Sequence, residues 1–511
     1  MPDPAHGGGY AVASPHADAT EAGRAAFAAG GNAVDAALAA ACALTVVYPH
    51  MCAVGGDVMA LVHDGEAHTI NASGRAPAAA PAGGEVPERG VGSITVPGAV
   101  SAWHVMAERW GSRPAAAAIE VAAGLAEDGV PVARSLAGAL DDERGVVAAD
   151  AGMRGVFMRD GRILRMGDTL VQPALAATLR RLADNGADEL YRGRTGARLV
   201  AGLAALGCRL TEADLDAHRV DVEAALSGTV GDLELHTMGA NSQGFCLLQI
   251  LAAVAHLGLA DPLAAGVPML ASIFRESARD RDAHLADPAA MTQPVESLLT
   301  PEHIAGLAQR AATSAARPEM TTPAHGDTIA VVAADANGLS VSLIQSIFSG
   351  FGSGVLEPET GILLHNRGAC FSSDPASPNA LGPGKRPLHT LMPLVGTRDG
   401  RAEWVAGTMG GRAQAQIHAQ MLLRRAAGAD VATAVSAPRM IVGDLEIGGR
   451  GVAVEEDFAA ARDALGRAGI EPDLMPRLSE DAGHAHAIVP VGDGGFEAAS
   501  DPRSDGAAVC S

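Results

Sequence analysis

Residues 328–348, TIAVVAADANGLSVSLIQSIF, constrain the fold most, because β-branched and apolar residues fill 328–334 and 339–347 around the turn-forming Asp335-Ala336-Asn337-Gly338. This pattern predicts a β-hairpin. A three-residue loop, Ala336-Asn337-Gly338, with the glycine in the left-handed region, pairs Asp335 with Leu339 and sets Thr328 opposite Ser346. A slip of one residue would turn Ser346 to the wrong face. Two hydroxyls on one face of adjacent strands can hydrogen-bond, so the second can orient or polarise the first. A strand-leading threonine whose Oγ attacks the preceding carbonyl would cut the chain between Asp327 and Thr328, leaving an N-terminal threonine with its own amine as base. Threonine is also a common packing residue in strands, so the hairpin alone leaves both readings open. The same tripeptide recurs at Gly167-Asp168-Thr169, but there it runs into a helical pattern with Pro173 near its start, which predicts a cap or loop role for Thr169.

The chain has 511 residues, ample for a large core, with 37 basic against 59 acidic residues and a net charge of −22. No lysine or arginine cluster forms a stripe, so nucleic acid is not an expected partner. Aromatics make up only 3%, while Gly is abundant at 62 residues, which points to close packing and many tight turns. Six cysteines (Cys42, Cys52, Cys208, Cys246, Cys370, Cys510) show neither a C-x-x-C pair nor zinc spacing, so no metal is expected and a reducing cytoplasm fits. The N-terminus lacks a basic segment followed by an apolar one, and the apolar run 36–48 is too short to span a bilayer. The expectation is a cytoplasmic protein without a membrane partner.

Residues 17–46 read as two helices separated by Gly30-Gly31-Asn32, followed by a hairpin around Asp64-Gly65. The stretch 99–315 is mostly helical, and the segment just before Thr328 is poor in large apolar residues and reads as an exposed, mobile linker. Gly410-Gly411 precedes a helical run, placing two side-chain-free amides at a helix N-terminus, where they can hold an oxyanion or simply form a turn. Gly7-Gly8-Gly9 precedes the strand YAVAS rather than following it, and Gly350–Gly354 belongs to the hairpin region, so neither is a nucleotide loop and no cofactor is expected.

In this order, AGGNAVDAALAAA, VGGD, GRAPAAA, ITVPGAV, LTEADLDAHRV, FGSGV, GILLHNRG, GKRPLHTLMP and GTMGG resemble the gamma-glutamyltransferase family of N-terminal-nucleophile hydrolases over nearly the whole chain. GDT at the cut and IQSIF after it are most similar to the gamma-glutamyltransferase-like or acylase branch. The resemblance implies an α/β (α+β) fold, a four-layer αββα sandwich, built from both fragments of one cleaved precursor. Residues 1–327 would be the large subunit and 328–511, beginning with the nucleophile, the small one, together forming one folded unit. It also implies Thr328 as nucleophile, Ser346 as the second hydroxyl, and Gly410 and Gly411 as the oxyanion hole.

The substrate pocket departs from the family pattern. Where gamma-glutamyl enzymes hold the substrate's amino group with an asparagine and an acidic residue, this chain has Phe348 and Cys370. The family's carboxylate-binding serine pair becomes His389 and Thr390, and Arg75 lies two residues from the place of its carboxylate-binding arginine. A desolvated ammonium needs a polar partner, so these changes argue against glutathione. Arg75 and Arg367 are candidates to fork onto another substrate's carboxylate, with structural salt bridges as the alternative, and Arg75 is favoured. His389 reads as a wall residue rather than a base. The short segment Ser372–Gly384, where many relatives carry a lid, implies a more open pocket.

The expected activity is an autoprocessed threonine amidohydrolase or acyltransferase acting on a small carboxylate-bearing acyl compound, with water or an amine as acceptor. A carbon–carbon bond hydrolase using the same nucleophile and an unprocessed binding or scaffold homologue are the alternatives.

Overall fold

The computed structural model describes residues 5–314, 327–443, 451–492 and 494–511. The linker expected before Thr328 falls at 315–326, outside the described residues. Five strands form the centre of one antiparallel sheet: β1 (Tyr10–Ser14), β2 (Asp57–His63), β3 (Ala67–Asn71), β4 (Asp327–Asp335) and β5 (Ser340–Phe348). Their spatial order is β1-β4-β5-β2-β3, with Ala507–Cys510 beside β1 and Asp221–Ala224 beside β3. Both sides of the Asp327–Thr328 bond therefore contribute strands to one sheet. A second seven-stranded antiparallel sheet contains β6 (Leu394–Arg398), β7 (Arg401–Thr408) and β8 (Ala485–Val491) at its centre.

The alternation of side chains along β4 assigns its two faces. Ile329, Val331 and Ala333 pack with the helices α1 (Ala17–Ala28) and α2 (Ala33–Val47), whereas Val332 and Ala334 meet Val395, Val405 and Ile488 of the other sheet. The second sheet's outer face is covered by α3 (Gly244–His256), α4 (Val267–His284) and α5 (Gln414–Ala426). The result is the four-layer αββα sandwich, with Thr328 on the inter-sheet face of β4. Helix α2 is buried along its whole length, and its run of alanines lets it lie flat on the sheet. Asn32 starts it by accepting from the Val34 and Asp35 amides, while Asp35 accepts from the Asn32 amide in return. The two sheets approach closely at Gly407, where a Cβ would sit 2.8 Å from the Ala330 Cβ, so any larger residue would push the sheets apart beside β4.

Some local expectations change. Thr169 pairs in a two-residue strand against Pro131 rather than capping a helix, and the following helix begins at Pro173 with Gln172 as its cap. Gly7 belongs to an edge strand, Ala5–Gly8, and Gly350–Gly354 forms the turn after β5 rather than part of the hairpin. Among the described residues no helix is long and apolar enough to cross a membrane.

The second sheet and its helices bury three histidines, His418, His484 and His486, and the rings of His484 and His486 make no hydrogen bond among the described residues. Burial pushes His418 down to about 3 and His486 to about 4, and holds His484 well below its ordinary value. The unfolded chain takes up protons at these sites below about pH 6.5, whereas the native chain does not. Stability is therefore full above about pH 6.5 and falls, by roughly 3 kcal/mol for each of the three, as pH drops toward 4. Thermal melts across that range should show a steadily falling Tm, and a flat Tm between pH 6.5 and 4 would contradict this reading.

Candidate active site

The turn residues Asp335–Gly338 fix the β4–β5 register: Gly338 adopts φ +88°, and the Asp335 amide donates to the Leu339 carbonyl at 3.0 Å. From there the ladder runs without a slip to Thr328 opposite Ser346. The next pair slips, Asp327 facing Phe348, and this irregularity brings the Asp327 carbonyl over the Ser346 side chain. The Thr328 hydroxyl donates to Ser346 Oγ at 3.1 Å, the Ser346 hydroxyl donates to the Asp327 carbonyl at 2.6 Å, and the Phe348 amide donates to Ser346 Oγ at 2.8 Å. Ser346 Oγ thus accepts twice and donates once, and both hydroxyls are almost fully buried. Phe348 holds φ +79°, a strained value for an aromatic residue, and this turns its N–H back toward Ser346.

Gly410 and Gly411 sit between the end of β7 and α5, at φ +143° and +53°. The φ of +143° at Gly410 demands glycine, whereas the 2.5 Å approach of an added Cβ to Ile417 Cδ1 could be relieved by a shift of that side-chain end. Gln243 fixes the turn by donating from Nε2 to the carbonyls of Gly411 (2.9 Å) and Thr390 (2.8 Å). Asp327 and Gly410 line one cleft of about 600 Å³, together with Arg89, Glu143 and Glu480. Burial pushes the Asp327 carboxyl up to about 7, with Glu480 and Glu143 adding to the shift and Arg89 opposing it. Arg89 donates to the Gly350 and Gly352 carbonyls and pairs with Glu143, bracing the turn after β5.

The gamma-glutamyltranspeptidase family model matches residues 19–511. The chain belongs to the gamma-glutamyltranspeptidase family. It is 38% identical to the oxamate amidohydrolase proenzyme of Klebsiella pneumoniae, with 98% of each chain covered. It is 33% identical to the glutathione hydrolase-like YwrD proenzyme of Bacillus subtilis, again over 98% of each. In three dimensions it superposes on cephalosporin acylase from Bacillus halodurans with a TM-score of 0.92 at 30% identity, covering 100% of this chain and 97% of that one.

In this gamma-glutamyltranspeptidase family member the two candidate arginines stand in different settings. Arg75 has a 46% exposed side chain and donates to Asp287 (2.9 Å) and to the Gly384 carbonyl (3.0 Å). Arg367 is fully buried, and its guanidinium carbon lies 4.4 Å from the centre of the Phe348 ring. Its Nη1 donates to Thr390 Oγ1 (3.3 Å) and to the soft acceptor Cys370 Sγ (3.4 Å), while Nε and Nη2 have no hydrogen-bond partner among the described residues. Phe348, Cys370, Thr390 and Arg367, all singled out in the sequence, therefore meet at one place.

His389 is fully buried and accepts the Leu391 amide on Nδ1 at 3.3 Å, which leaves Nε2–H to donate to Asp57 Oδ2 at 3.2 Å. Burial and the neighbouring Arg367 push it down to about 3, so it is a neutral, hydrogen-bonded wall. The Ser372–Gly384 segment is tied back onto the site by Asn379, which donates to the Cys370 carbonyl at 2.7 Å.

Asp57 was missed in the sequence as a site residue. It ends the VGGD run and pairs in register with Ser346, so Thr328, Ser346 and Asp57 form one row across β4, β5 and β2. Burial alone would raise its carboxyl, but His365 and His389 hold it ionised, below the usual carboxylate range. The acid at the end of VGGD was the available signal, and only the strand pairing gives it meaning. His365, within GILLHNRG, was missed for the same reason; its Nδ1 lies 3.2 Å from Asp57 Oδ2.

Proposed function

We propose that the chain is an autoprocessed N-terminal threonine amidohydrolase that cleaves the amide of a short, carboxylate-bearing acyl compound. The observation that carries this is the contact of three groups: the Thr328 hydroxyl, the Ser346 hydroxyl and the Asp327 carbonyl. In maturation Thr328 Oγ adds to the Asp327 carbonyl carbon, its proton passing to Ser346 Oγ as the Ser346 proton moves to the carbonyl oxygen. The C–N bond between Asp327 and Thr328 then breaks, the nitrogen takes up a proton, and an ester remains. Water opens the ester, giving the Asp327 α-carboxylate and the free Thr328 hydroxyl. With its carboxyl pushed up to about 7, the Asp327 side chain is about half protonated at neutral pH, which lessens its repulsion of charge developing on the carbonyl oxygen.

In turnover the Thr328 amine takes the hydroxyl proton and Oγ attacks the substrate's amide carbon. The developing charge is met by the Gly410 and Gly411 amides, each such donor being worth about 3 kcal/mol. The leaving amine departs with the proton, and water, or a second amine, releases the acyl group from Thr328.

Arg367 is the group we assign to the substrate's carboxylate, because a buried guanidinium with two nitrogens lacking hydrogen bonds is costly until an anion fills them. Phe348 and Cys370 offer no charged partner to an α-ammonium, which disfavours glutathione. The name of the Klebsiella relative supplies a concrete donor: oxamate has a carboxylate directly beside its amide. Product analysis tests the reading. Ammonia release from oxamate or a similar short amic acid, at a kcat/KM well above that for gamma-glutamyl anilides, is expected. Turnover of the anilides alone would overturn the substrate assignment.

A further inference from the structure

Arg367 already has a resident counter-ion. Asp57 is fully buried and, among the described residues, is the sole carboxylate within 4.0 Å of the Arg367 guanidinium. It is itself held: Oδ1 accepts the Gly74 amide at 3.1 Å, and Oδ2 accepts His389 Nε2–H at 3.2 Å with His365 alongside. Asp57 therefore cannot swing aside when a second anion arrives. Its strand position fixes it relative to Ser346 and Thr328 through two neighbouring ladders.

We propose that Asp57 is a positioning residue that sets the charge selectivity of the site. It faces the Nε side of Arg367 at 4.0 Å, leaving Nη2 for the acyl donor's carboxylate, and it offsets part of the guanidinium charge. An entering carboxylate then feels both Arg367 and Asp57. Net attraction is modest, and recognition rests on the fit of the carboxylate to the guanidinium edge. Acyl donors with one carboxylate close to the amide are accepted, and dianionic donors are disfavoured by Asp57. This rests on the assignment of Arg367 as the carboxylate clamp.

The test compares oxamate with its uncharged diamide, oxamide, as substrates for the processed wild type and for Asp57→Asn, Asp57→Glu and Arg367→Met. Asparagine keeps the size of Asp57 and an oxygen for Gly74 but removes the charge. Its KM for oxamate should fall about tenfold because the guanidinium is no longer offset, while kcat falls because its edge is less well held. KM for oxamide should change less than about twofold, since a neutral ligand does not sense the charge. Asp57→Glu, which retains the charge, should keep the oxamate-to-oxamide ratio of KM values at the wild-type level. The proposal is overturned if Asp57→Asn shifts both KM values in parallel or leaves their ratio unchanged. Should Asp57→Asn fail to fold, an altered ratio in Asp57→Glu overturns it instead. Failure of the underlying reading looks different: Arg367→Met would then hydrolyse oxamate as well as the wild type does.

Discussion

Thr328→Ala should remain a single polypeptide of 51.5 kDa on a denaturing gel and should hydrolyse no amide, whereas the wild type gives two bands of about 33 and about 18 kDa in proportion to length. The expected effect is complete because the substitution removes the attacking oxygen from both reactions, maturation and turnover. Its structural cost is small. Thr328 donates one hydrogen bond to Ser346, and Ser346 keeps its bonds to the Asp327 carbonyl and the Phe348 amide when that donor is lost. A folded but uncut variant is therefore expected, with a Tm within a few degrees of the wild-type precursor. Persistent cleavage at the same bond in Thr328→Ala would move the nucleophile elsewhere.

Arg367→Met should process normally but lose roughly two orders of magnitude in kcat/KM on short carboxylate-bearing amides, equivalent to about 3 kcal/mol of transition-state stabilisation. Processing should be spared because, among the described residues, Arg367 makes no hydrogen bond or ion pair with Thr328, Ser346 or the Asp327 carbonyl, and a methionine can still pack on the Phe348 ring. The substitution leaves Asp57 as a buried carboxylate without its cation, which lowers stability by about 3 kcal/mol or more. Removing both charges in Arg367→Met/Asp57→Asn should recover much of that stability without recovering activity. Steady-state kinetics beside thermal melts separate the two effects. Wild-type kcat/KM in the single variant would rule out Arg367 as the clamp.

The pairing of Thr328 with Ser346 was legible in the sequence because it is local. Alternating apolar residues and the Asp335–Gly338 turn define one register, and that register alone sets Thr328 against Ser346. The charged end was not legible in the same way. The role of Asp57 depends on β2 lying beside β5, a pairing between distant parts of the chain, and no local pattern announces it. The sequence favours Arg75 over Arg367 as the carboxylate clamp, the reverse of the assignment proposed from the structure. Their settings differ through tertiary packing: Arg75 meets the Asp287 carboxylate at the surface, whereas Arg367 is enclosed with hydrogen-bonding capacity left over. Thr169 shows the converse limit, since its short strand is imposed by the partner segment at Pro131 and not by its own helical surroundings.

Everything proposed for this site requires that the chain itself cut its backbone between Asp327 and Thr328. Intact-mass spectrometry of purified, folded protein, combined with N-terminal sequencing of the smaller fragment, tests it most directly. Two fragments are expected, the smaller beginning Thr328-Ile329-Ala330 and containing 184 residues. A full-length mass alone, persisting on prolonged incubation of the folded protein, would contradict it.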